Sequence, residues 1–130
     1  MTSIPRSDSF AIPATSARAQ EPGRDRSHAL QELAAFHLLY GRAENAERFL
    51  RVALWIDPKD GNTQRLLAHA IARRGNAVEA AKMMMMAAKS FNAGLRLGDW
   101  KEVGLALLKQ GQNELGLKFL TKKEGRSPQS

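Results

Sequence analysis

Side chains able to do acid–base, nucleophilic or metal chemistry are few in this 130-residue chain, which has three histidines and no cysteine. Without cysteine there is no disulfide scaffold, thiolate zinc site or cysteine nucleophile, a composition that suits a reducing cytoplasm. His28, His37 and His69 form no HExxH motif, and none stands beside a carboxylate at metal-ligand spacing. His37 reads as a structural histidine more readily than as a ligand. The glycines Gly41, Gly75 and Gly111 are singletons between apolar stretches, as helix-terminating glycines are, so no phosphate-cradling loop is expected. A catalytic site needs a convergent nucleophile, acid, base or metal. The sequence offers no such set, so no enzyme activity, metal or cofactor is expected.

The second chemical feature is charge. Lys and Arg number 20 against 13 Asp and Glu, a net charge of +7, so an anionic partner has to be weighed. The surplus is spread along the chain: +1 up to Arg26, +3 over residues 27–117 and +3 after that. Arg73-Arg74 and Lys122-Lys123 are the only adjacent basic pairs, and Trp55 and Trp100 fall in or beside packing positions. A nucleic-acid binder concentrates cations on one face with aromatics free to stack. A solvated basic surface is therefore expected, with a small RNA-binding or ribosome-associated helical protein as the alternative. No apolar run approaches membrane-spanning length, and Arg6 and Asp8 stand where a signal peptide would be apolar. A cytoplasmic protein without membrane insertion is expected.

The elements that must position any site are helical. Residues 1–26 hold three of the five prolines and few large apolar residues, which predicts a disordered arm, because so little burial cannot offset the entropy of ordering. From Ser27, a candidate N-cap, Leu30, Leu33, Ala34, His37 and Leu38 recur at helical spacing. After Gly41 a second run follows through Ala46, Phe49, Leu50, Ala53 and Leu54, ending at Asp57-Pro58, where proline stops a helix. No segment alternates apolar and polar residues as a strand would. Residues 124–130 form a polar tail.

Gly41, Gly75 and Gly111 recur 34 and then 36 residues apart. At matching offsets stand Leu30, Leu33, Ala34, Ala46, Leu50, Ala53 and Pro58, then Leu67, Ala68, Ile71, Ala80, Met84 and Ala87, then Trp100, Val103, Gly104, Leu107, Gly116 and Leu120. This pattern resembles the tetratricopeptide repeat over residues 27–123. The resemblance implies an all-α fold of three antiparallel hairpins stacked as a solenoid, with small residues such as Ala34, Ala46, Ala53, Ala68 and Ala80 at the tight helix crossings. Leu33, Leu50 and Leu67 would fill the space between hairpins. His37, Gln64 and Asn92 depart from the repeat's usual residues, repeat three needs an insertion near Leu95–Leu97, and Lys123 stands where a small residue is usual. The last repeat should face outward with polar residues to cap the stack.

The small size, and the stretch from Gly41 to Leu54 followed by Asp57-Pro58, are similar to the tetratricopeptide chaperones of bacterial type III secretion. That likeness implies a cytoplasmic chaperone or adaptor for a protein client of the export machine. In this family the first helix of each hairpin lines a concave groove, which here implies Gln31, Ala35, Leu38 and Leu39, then Asn62, Arg65, His69, Ala72 and Arg73, then Lys101, Leu105, Leu108 and Lys109. The mixture of apolar and cationic groups suits a peptide or amphipathic helix carrying acidic residues. Members that clamp a C-terminal carboxylate use Lys and Asn where Gln31 and Ala35 stand, so that mode is not expected. Reversing charge at Arg65 and Arg73 should weaken client binding and leave the fold intact. In the run Met83–Met86 only Met84 falls on the core position. Core filling is the preferred reading of the run, with a client-binding or homodimer patch as the alternative.

Overall fold

The computed structural model describes residues 22–91 and 94–122, and among these the regular structure is entirely helical. The elements are α1 (Pro22–Leu39), α2 (Ala43–Ile56), α3 (Gly61–Arg73), α4 (Ala77–Ser90), α5 (Leu97–Lys109) and α6 (Asn113–Leu120). The three recurring glycines end α1, α3 and α5. Each has a positive φ, 74° at Gly41, 93° at Gly75 and 79° at Gly111. The next amide reaches back to satisfy a terminal carbonyl: Arg42 N to His37 O at 2.8 Å, Asn76 N to Ile71 O at 3.1 Å and Gln112 N to Leu107 O at 2.9 Å. The same reversal is thus built three times, and a residue with a Cβ would be strained at its centre. Entry to α3 is fixed by Asp60, whose carboxylate accepts from Asn62 N at 2.9 Å and Thr63 N at 3.2 Å.

The most extensive helix packing joins α1 to α2, α3 to α4 and α5 to α6; α2 then packs on α3, α4 on α5, and α3 on both α1 and α5. Small side chains set these distances. Ala34, Ala46, Ala53, Ala68 and Ala80 are fully buried, and Leu50, Leu67, Ile71, Met84, Val103 and Leu107 fill the space around them. Where α5 crosses α6, a Cβ on Gly116 would lie 3.1 Å from Gly104 O and 2.8 Å from the Leu108 side chain. Among the described residues no helix is long and apolar enough to cross a membrane.

Several expectations change. Helix α1 starts at Pro22, so residues 22–26 are helical and not part of an arm. Proline suits a first helical turn, whose amides lack intrahelical acceptors anyway, and Asp25 there complements the helix dipole. Ser27 is consequently not a cap; it sits inside α1, fully buried, beside Gln31. Leu33 does not fill an inter-hairpin space but is 44% exposed, and Trp55, expected at or beside a packing position, is 82% exposed. The insertion near Leu95–Leu97 is taken up between α4 and α5, where Gly94 N turns back to Phe91 O at 2.9 Å and Leu95 is buried. Residues 1–21, 92–93 and 123–130 lie outside the described residues, and with them most of the expected arm, the departure at Asn92 and the tail.

Candidate functional site

Helices α3 and α5 carry the densest polar arrangement. His69 projects from α3 between two carboxylates of α5, its Nε2 2.7 Å from Asp99 Oδ1 and its Nδ1 2.5 Å from Glu102 Oε1. Arg65, one turn before His69, donates to Asp99 Oδ1 at 3.0 Å, and Arg73, one turn after it, donates to Glu102 Oε2 at 2.6 Å. Residues three and four apart share a helix face, so three cations on α3 meet two anions on α5 in register. A protonated imidazole serves both carboxylates at once, whereas a neutral ring turns a lone pair toward one of them.

The ionisation equilibria follow from this geometry. Burial alone would lower the His69 pKa, but its hydrogen bonds to Asp99 and Glu102 outweigh that and raise it above the ordinary 6.5. Burial would raise Asp99, yet hydrogen bonds from His69, the Arg96 amide and Arg65 hold it at about 2. Glu102 is likewise raised by burial and brought down to about 2 by His69 and Arg73. The two carboxylates approach opposite nitrogens of the ring, so their oxygens do not converge, and among the described residues no three His, Asp or Glu side chains could hold a metal ion.

This arrangement redistributes the residues expected in the groove. Gln31 is buried, donating to Asp60 Oδ2 at 2.9 Å and Thr63 Oγ1 at 2.8 Å and accepting from Asn62 Nδ2 at 2.8 Å. It ties α1 to the start of α3 and is not among the residues that line the groove described below. Leu38 is buried in the core. Asn62 is held by Gln31 and by Arg65, whose guanidinium also lies 5.6 Å from the centroid of the Phe91 ring. Arg65 and His69 are spent on Asp99 and Glu102, so neither is an uncommitted cation. His37 is packed between α1 and α2, its ring stacked on Phe49 at 5.3 Å.

The other five residues do come together. Arg73, Lys101, Leu105, Leu108 and Lys109 line one open groove of about 950 Å³, with Ala72, Gly98, Glu102 and Ala106 completing its wall. Leu105 and Lys101 follow one another at four-residue spacing along α5 and are exposed, as is Lys109. Arg73 is anchored at the edge by Glu102 and by a 3.0 Å hydrogen bond to the Leu38 carbonyl. The result is an apolar floor with two exposed lysines along it. Of the methionine run, Met84 is buried, as its position implies, while Met85 and Met86 are about half exposed on α4.

Asp99 and Glu102 were not among the residues singled out in the sequence, although a signal for them existed. Arg65 and Asp99 are 34 residues apart, and His69 and Glu102 33, close to the 34- and 36-residue recurrence of the turn glycines. Charges one repeat apart face each other across neighbouring first helices. No family model and no curated protein matches the chain.

Proposed function

We propose that the chain is a non-catalytic protein-binding module, built as three stacked tetratricopeptide-type hairpins, whose groove along α5 takes a segment of a client protein. The observation that carries this reading is the groove itself: an apolar floor including Leu105 and Leu108, with Lys101 and Lys109 beside it. A peptide or amphipathic helix with apolar anchors three or four residues apart and flanking carboxylates complements such a surface. The pairing of Arg51, Arg65, Arg73 and Arg74 with carboxylates of the chain favours a protein client over RNA, since these cations are already neutralised.

By its small size and repeat pattern the module is further proposed to be a cytoplasmic chaperone or adaptor for a client of a type III secretion apparatus. The test is affinity purification of the tagged full-length protein from its own host, followed by mass spectrometry of bound protein and sequencing of bound RNA. One client in stoichiometric amount, absent when Leu105→Glu is introduced, supports the proposal. Recovery of RNA or ribosomal proteins in place of such a client refutes it.

A further inference from the structure

Glu102 belongs to two surroundings at once. Its Oε1 faces His69 Nδ1 at 2.5 Å, and the residue is also part of the wall of the α5 groove. Asp99, at the other ring nitrogen, is fixed in place: its carboxylate also accepts from the Arg96 amide at 2.8 Å and from Arg65 at 3.0 Å. Glu102 has Arg73 alone besides the ring among the described residues, and its side chain is 27% exposed against 7% for Asp99. On the other helices packed against α3, Glu47 of α2 is held by Arg74 and Glu79 of α4 by Arg51, while α1 offers its Leu38 carbonyl to Arg73. Among the described residues no charged side chain of α1, α2 or α4 is bonded to the ring or to its two carboxylates. The two arginines balance the two carboxylates, so a proton on His69 is the charge left over.

A ring flanked in this way has two states, and they differ in the groove. With both nitrogens protonated it donates to both carboxylates. After loss of one proton, a nitrogen lone pair faces a carboxylate oxygen at hydrogen-bond distance, which is repulsive. Asp99 is held by two further donors and shielded from solvent, so the remaining proton stays on Nε2 and the repulsion falls on Glu102. We infer that His69 is the proton switch of the groove: protonated, it holds Glu102 to the wall and leaves the groove receptive to an acidic client segment; deprotonated, it frees Glu102 to swing into the groove, where its charge opposes the client's carboxylates. This switch presupposes that the groove takes a client, as proposed above, and adds how binding there is controlled. The ring's hydrogen bonds raise its pKa above the ordinary 6.5, so the change takes place on the alkaline side of that value. Coupling of this kind is reciprocal, and an acidic segment in the groove makes His69 harder to deprotonate.

The experiment takes two readouts on the full-length protein between about pH 6 and about pH 9, a range in which carboxylates and lysines keep their charge. Ring-nitrogen NMR follows the protonation and tautomer of His69, whose signals are assigned by their loss in His69→Gln. Fluorescence anisotropy measures the Kd of a labelled synthetic helix with leucines at three- and four-residue spacing and glutamates between them, with circular dichroism confirming the fold at each pH. The expected result is a doubly protonated ring at about pH 6 that gives way to a neutral ring protonated on Nε2, while the Kd rises about tenfold. His69→Gln should show the weaker affinity at both ends of the range, and Glu102→Gln, with no charge to release, should bind without pH dependence. A neutral ring protonated on Nδ1, an equal wild-type Kd at both ends, or pH dependence that survives Glu102→Gln overturns the switch and leaves the groove as a client site. Absence of peptide binding throughout overturns the client site, and the switch with it.

Discussion

Replacing His69 by Leu keeps approximate volume at the contact between α3 and α5 and removes both ring donors. In the folded protein those donors serve Asp99 and Glu102, both largely shielded from solvent. A hydrogen bond to a charged group contributes about 1.5–3 kcal/mol, and stranding a shielded charge costs at least as much. Arg65 and Arg73 remain on the two carboxylates, so the loss is partial, about 2–4 kcal/mol near pH 6. The pH dependence is the sharper readout. The folded His69 pKa is raised, so its stabilisation is complete below the unfolded value of about 6.5 and is lost as pH rises through the folded value. Asp99 and Glu102 are held at about 2, so their contribution is complete above the unfolded values of about 4 and is lost as pH falls toward 2. Wild-type stability should therefore be greatest between about pH 4.5 and 6.5. Urea denaturation followed by circular dichroism at about pH 6 and about pH 9 measures both effects, with wild type losing stability over that interval and His69→Leu losing much less. If the variant lies within about 0.5 kcal/mol of wild type near pH 6, or the two weaken in parallel, His69 is not the clamp described.

Other substitutions separate scaffold from site. Gly116→Ala places a methyl group against Gly104 O and Leu108, and should cost about 1–3 kcal/mol in denaturant titrations despite alanine's better helix propensity. Ala46→Leu overpacks a fully buried position between α1 and α2, and should lower stability by about 1–3 kcal/mol, with client capture falling only as structure is lost. Arg65→Glu sets a third carboxylate beside Asp99 and Glu102 and should destabilise by about 2–4 kcal/mol in urea titrations, contrary to the tolerance expected of a solvated groove cation.

Where the sequence was readable, the reason was periodicity. Helical spacing delimits α2, and the three turn glycines mark the reversals after α1, α3 and α5, because burying one face of a helix and reversing the chain at a positive φ leave direct marks on residue type. Pro22 is a different case: its proline-rich surroundings suggest an unstructured arm, yet proline is favourable in a first helical turn, and the helix continues into the buried Ser27 and Gln31. The groove was legible in part. Lys101, Leu105, Leu108 and Lys109 share a face of α5, and that follows from spacing alone. Arg65 and His69 share a face of α3 equally well, but whether a face meets solvent or an opposing carboxylate depends on a helix more than 30 residues away. Trp55 escaped for a related reason, since α1 and α2 are the first helix pair among the described residues and no preceding pair there covers it.

The central claim is that the α5 groove captures a protein client, and its most direct measurement compares affinity purification of wild-type protein with that of a variant carrying Lys101→Glu and Lys109→Glu. Both lysines are exposed on the groove wall, so the variant should keep wild-type stability within about 0.5 kcal/mol. The predicted result is one stoichiometric client with wild type and its loss from the folded variant. Undiminished capture of that client by the variant, or recovery of RNA in its place, would contradict the claim.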